Sequence, residues 1–149
     1  MIRFADIRDA LSDLIKTEAG LPLLVFFNHV NDAEEDYAWV RLRMGRTDLG
    51  FGWLERSIHV DISIHLAPDA TGEIRHGTLY EYVDALDAAT LHSIPIADRH
   101  ITILETSSIV FDDILTYSFK LDFSDYYVAL PKREQAEFMQ ELQLNLETG

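Results

Sequence analysis

The stretch Ser57-Ile58-His59-Val60-Asp61-Ile62-Ser63-Ile64-His65-Leu66 sets apolar Ile58, Val60, Ile62, Ile64 and Leu66 against polar His59, Asp61, Ser63 and His65. Side chains on a strand point alternately to opposite faces, so this spacing predicts a strand with one dry and one wet face. The alternation appears before it in Ala38, Val40, Leu42 and Met44, set against Tyr37, Trp39, Arg41 and Arg43. It returns later in Leu115, Tyr117, Phe119, Leu121 and Phe123. Strands with a single dry face must bury it against a second layer, and the intervening segments have helical spacing.

Phe4, Ile7, Leu11, Leu14 and Ile15 share one helical face, so residues 4–18 read as an amphipathic helix ended by Gly20 and Pro22. Leu23 to Phe27 reads as a short buried strand, and Asn31 to Asp36 as a solvated acidic loop. Tyr37 to Met44 is the next strand. Gly45 to Arg56 reads as a long loop with three glycines, of the length that is usually functional or mobile. A second helix is expected from Gly72 to Leu91, with Leu79, Val83, Leu86 and Leu91 inward and Glu81, Asp84 and Asp87 outward. Ser93-Ile94-Pro95 breaks it. Ile101 to Val110 and Ile114 to Phe123 then form a strand pair joined near Phe111-Asp112-Asp113. Beyond Pro131, Glu134 to Leu146 carries Phe138, Met139, Leu142 and Leu146 on one helical face. The resulting order predicts an α+β fold, an antiparallel or mixed β-sheet with helices packed on one face. It forms one domain over residues 1–130 with a helical extension over 131–149.

A chain of 149 residues is long enough for one core without metal or disulfide staples. Cysteine is absent, which removes disulfides, thiolate zinc sites and cysteine nucleophiles and fits a reducing compartment. The start, Met1 to Asp6, carries no signal-like apolar run, and no segment approaches the ~18 apolar residues of a membrane helix. The expectation is a protein made and used in solution, with no membrane partner. A net charge of −14 disfavours a nucleic-acid reader, because phosphate binding needs a basic stripe. The same charge would let DNA pass along the surface without sticking.

His59, Asp61 and His65 share the wet face of one strand and are the strongest metal candidates. Neighbours on that face are about 7 Å apart, whereas zinc sites need three or four converging ligands. An exposed or interface strand face is the alternative reading. His76, His92 and His100 form no His-Glu-x-x-His pair, and Ser57, Ser107 and Ser108 lack the glycines of a nucleophile elbow. Gly45 to Gly52 lacks the Gly-Lys-Ser/Thr of a phosphate cradle. Asp112-Asp113 reads as a turn and Glu34-Glu35-Asp36 as solvated loop. No catalytic, cofactor or metal site is assigned. The partner-binding candidates are Arg46, Asp48, Phe51, Trp53 and Arg56 on the glycine-rich link, and Phe138 and Leu142 on the last helix. Aromatics beside arginines have the composition of a contact hot spot, although Trp53 capping the core would explain it equally well.

The opening helix, the strand pair bracketing a long link, the helix through Leu86 and the closing strand pair through Phe123 together resemble a known family. With Ser57 to Leu66 followed by Gly77-Thr78-Leu79-Tyr80-Glu81-Tyr82-Val83-Asp84-Ala85-Leu86, the layout is similar to the tail terminator, or tail completion, proteins of long-tailed bacteriophages. That resemblance implies a homo-oligomeric ring, usually hexameric, that caps the tail tube, stops its polymerisation and joins it to the head-tail connector. It also implies a place in the virion after assembly in the host bacterial cytoplasm, with DNA passing through without specific binding. Another head-tail adaptor or neck protein, and a small metal-dependent hydrolase built on His59, Asp61 and His65, are the alternatives.

Overall fold

In a computed structural model, which describes residues 2–30 and 34–126, the alternation around Ile62 becomes the central strand of a five-stranded sheet. This strand, β3 (Trp53–His65), lies between β2 (Tyr37–Gly50) and β7 (Ile114–Tyr126). β1 (Leu24–Phe26) runs parallel to β2, and β6 (Thr106–Phe111) runs antiparallel to β7. Register brings Ile62 between Val40 and Tyr117, and Val60 between Leu42 and Phe119. The three alternating patterns thus fall on one face, where Ile58, Val60, Ile62 and Ile64 are wholly buried. Helix α1 (Phe4–Asp13) contributes Ile7 and Leu11 to the same cluster, and helix α2 (His76–Thr90) contributes Leu79 and Leu86. Each such side chain contributes about 1.5–3 kcal/mol on burial. The α+β class and the helix-on-sheet arrangement follow directly.

Several boundaries differ from the sequence reading. The first helix changes pitch to a π turn over Leu14–Glu18, which still buries Leu14 and Ile15, and Gly20 ends it at φ +65°. Phe4, expected inward, is 45 % exposed. The second helix starts at His76 rather than Gly72. The Asp69 carboxylate accepts the amides of Thr71 (2.8 Å) and Glu73 (3.1 Å), and this local turn outcompetes a helical start. Leu91 lies past the helix end and is exposed, not part of its apolar face.

Ser93-Ile94-Pro95 does not merely break the chain. It enters β4 (Ser93–Ile96), which pairs with β5 (Arg99–Thr102) in a separate two-stranded ribbon that buries Ile94, Ile96 and Ile101. Such a ribbon leaves one side of each strand unpaired, so Pro95 is tolerated. The expected strand Ile101 to Val110 is therefore two, β5 and β6, separated at Ile103-Leu104-Glu105. Asp36 is likewise not a solvated loop residue. Its carboxylate accepts Ala67 N–H at 2.8 Å and the Arg75 guanidinium at 2.6 Å, latching the entry to β2 onto the segment between β3 and α2. Asp112 and Asp113 form the turn expected of them, with φ of 52° and 63°. The expected helix from Glu134 to Leu146, and the extension 131–149 as a whole, lie outside the described residues. Among the described residues no helix is long and apolar enough to cross a membrane.

A buried polar clamp joins α2 to the sheet. The Tyr117 hydroxyl donates to Asp87 Oδ1 at 2.7 Å and lies 3.0 Å from Thr90 Oγ1, which itself donates to the Leu86 carbonyl at 2.9 Å. Burial raises the Tyr117 phenol above its usual pKa, so the proton that makes these bonds is held. Tyr117→Phe should destabilise the protein by about 1–3 kcal/mol, because buried Thr90 loses a partner and the exposed Asp87 carboxylate loses a charge-assisted hydrogen bond. Urea unfolding should show a lower midpoint at unchanged slope.

Candidate functional site

The Gly45-to-Arg56 link is not a loop. β2 runs on to Gly50 and β3 begins at Trp53, so the ladder continues through Gly45 opposite Ser57, Arg46 opposite Arg56 and Asp48 opposite Leu54. Only Phe51 and Gly52 turn, both at positive φ (54° and 85°), the geometry of the tight two-residue hairpin. The hairpin runs past the core, where much of both faces meets water, and alternation fades with the loss of a dry face to bury. Gly52 is required twice over, since a Cβ there would sit 2.8 Å from the Tyr126 ring as well as in a left-handed backbone. A bulge at Leu49 adjusts the register just before the turn.

This arm carries the candidate contact residues. Phe51 at the tip is 98 % exposed. Trp53 does not cap the core. It is half exposed and rests on Tyr126, with ring centroids 4.9 Å apart. Asp48 accepts the Gly50 amide at 2.8 Å and so helps to shape the turn. Arg56 lies on the inner side with its guanidinium 5.1 Å over the Phe4 ring, which explains why Phe4 is not driven fully inward. Arg46 faces Arg56 across the ladder as a strand residue. Phe138 and Leu142 lie outside the described residues.

A second feature of the arm was not foreseen. β1 pairs with β2 only from Tyr37 to Trp39, so among the described residues no strand covers the outer edge of β2 from Val40 to Gly50. Beside this edge lies a groove of about 350 Å³ lined by Phe4, Arg8, Phe27, Trp39, Arg41 and Met44. Two arginines stack along it, Arg8 at 5.0 Å over Phe27 and Arg41 at 4.9 Å over Trp39. Such cation–π stacking holds guanidinium groups in fixed orientations beside apolar surface. The signal in the sequence was the wet face of Tyr37 to Arg43, which carries large aromatics and arginines where small polar residues would suffice.

The proposed metal face does not assemble. Asp61 accepts the Ser118 hydroxyl at 2.5 Å, and His65 stacks on Tyr37 with ring centroids 4.6 Å apart. His59 stands between Arg43 and Lys120 in the register. Among the described residues no three His, Cys, Asp or Glu side chains gather as a metal-holding group. At the other end of the sheet an open basin of about 640 Å³ collects Lys16, Glu34, Glu35 and Asp36, of which Asp36 is already engaged by Arg75. Compared with models of known protein families and with curated proteins, the chain matches none.

Burial, and then the nearby Arg41 charge, lower the His65 pKa below its usual 6.5. The folded state therefore prefers neutral His65, and its contribution is fully present above about pH 6.5. It is lost as pH falls from there toward the lowered folded value. Thermal melts between pH 7.5 and 5.5 should show a smaller acid-induced loss of stability in His65→Gln than in the parent protein.

Proposed function

We propose that this protein is a structural component of phage tail assembly, a tail terminator whose ring caps the tail tube, ends its growth and joins it to the head connector. The observation that supports this most is the projecting β2–β3 arm, with exposed Phe51 at its tip, half-exposed Trp53 beside it and an open strand edge along it. A rigid aromatic finger on a sheet suits docking against another protein, since aromatic anchors dominate contact energy and a preorganised hairpin loses little entropy on binding. The layout resembling tail terminators and the absence of a gathered metal-binding group among the described residues point the same way. A net charge of −14 suits a wall past which DNA must slide. A virion location follows from this reading. Asp61 and His65, on which the hydrolase alternative rests, each meet a different neighbour, Ser118 and Tyr37.

In the assembly reading Phe51 and Trp53 contact the tail tube protein. Mixing purified protein with its tube protein should give a co-sedimenting complex. Phe51→Asp should weaken that complex by about tenfold or more while leaving the thermal melt of the free protein close to the parent, and Trp53→Ala should weaken it likewise with a lower melt, because Trp53 also packs on Tyr126. A protein that stays monomeric both alone and with tube protein would overturn the proposal.

A further inference from the structure

The two sheet edges differ in character. The β2 edge carries Arg41, Arg43 and Arg46 in a chain whose net charge is −14. The opposite edge is β6, which among the described residues pairs only with β7. Natural sheets guard their edges with charges, proline, bulges or a covering element. β6 reads Thr106-Ser107-Ser108-Ile109-Val110-Phe111, without charge or proline, and exposes Ile109 (61 %) and Phe111 (75 %). A short uncharged segment of strand formers is an aggregation hazard unless something covers it. The charges nearest to it in sequence are carboxylates, Glu105 before it and Asp112 and Asp113 after it, of which Asp113 meets His76 Nε2 at 2.6 Å.

We propose that the β6 edge of one copy pairs with the Arg41-to-Arg46 edge of β2 in a second copy, extending the sheet from subunit to subunit. This rests on the ring-assembly reading and names the surface that would build the ring. Consecutive strands β2, β3, β7 and β6 are all antiparallel, so β6 runs opposite to β2. Subunits related by a rotation that preserves strand direction therefore bring β6 antiparallel to the next β2. The faces also match. Arg41 and Arg43 share the face of Asp61 and His59, and Ile109 and Phe111 share that of Thr116 and Ile114, which the ladder makes the same face of the sheet. With Phe111 opposite Arg41, Ile109 falls opposite Arg43 and Thr106 opposite Arg46. In that register Asp112 follows Phe111 at the Arg41 end, Asp113 being held by His76 at 2.6 Å, Glu105 precedes Thr106 at the Arg46 end, and Phe111 lies next to the groove at Trp39. One edge meets a different edge, and such head-to-tail contacts make rings where the rotation closes, or open filaments where it does not, rather than two-fold dimers.

The chain has no cysteine, so a double variant Arg43→Cys/Ile109→Cys carries only the two engineered thiols. Mild oxidation should yield a ladder of covalent oligomers on a non-reducing gel. A control pairing Arg43→Cys with Leu91→Cys, at the exposed end of α2, should yield none. Ile109→Arg sets a cation against Arg43 and should weaken assembly tenfold or more in sedimentation, with its thermal melt confirming a folded chain. Adding Arg43→Glu to Ile109→Arg should restore assembly. If the parent protein assembles but the Arg43/Ile109 pair gives no ladder, or if Ile109→Arg assembles like the parent, edge pairing is overturned while the ring reading stands. If the parent is monomeric alone and with tube protein, both fall.

Discussion

Burial of one face of β3 is the constraint on which the rest of the structure depends. Ile58, Val60, Ile62 and Ile64 are wholly removed from water, and each needs cover from neighbouring strands and from the helical layer. A one-residue slip in register would turn the entire set to solvent, so pairing with β2 and β7 is specified along the core. The helices follow from the same demand, because a sheet with a single dry face requires a second layer. Tyr117 shows how tightly that layer is set, since its ring lies in the core while its hydroxyl reaches Thr90 and Asp87 of α2.

Where the dry face ends, the sheet continues. The β2–β3 hairpin runs beyond the helices as a paired arm, supported along one side by β7 as far as Trp53 opposite Tyr126. A helix or strand inside the core is held mainly by burial, whereas this arm is held by its ladder, a tight turn, the Trp53–Tyr126 and Arg56–Phe4 contacts and the buried Leu54 side chain. Its placement delivers aromatic surface at a defined distance from the core at little entropic cost. Arg41, Arg43 and Arg46 along its outer edge, with Arg41 stacked on Trp39, give that edge a sign opposite to the charge of the whole chain. These features support the proposed role in assembly with other proteins.

Much of the fold was legible because alternation is local. Ser57 to Leu66, Tyr37 to Met44 and Ile114 to Phe123 declared their faces before any partner was known, and the structure places them side by side. Boundaries were less legible where local chemistry competed with periodicity. Asp69 drew the chain into a turn ahead of α2, and Ile101 and Ile103 continued an apolar rhythm across what became two strands. The candidate site was half legible. Phe51 and Trp53 stand out by composition, but their setting reads as a loop because nothing in a polar segment shows that a paired strand continues through it.

By itself the sequence determined the α+β class, the dry faces of the long strands and the amphipathic helices that cover them. These depend on spacings within a few residues, which hydrophobic burial reads directly. Only the tertiary structure decided that Gly45 to Arg56 is a paired strand arm, that among the described residues β2 has an uncovered basic edge and β6 an uncharged one, and that His59, Asp61 and His65 form no metal-holding group. Each of these depends on which strand lies beside which, a property of register between distant segments that no local spacing encodes.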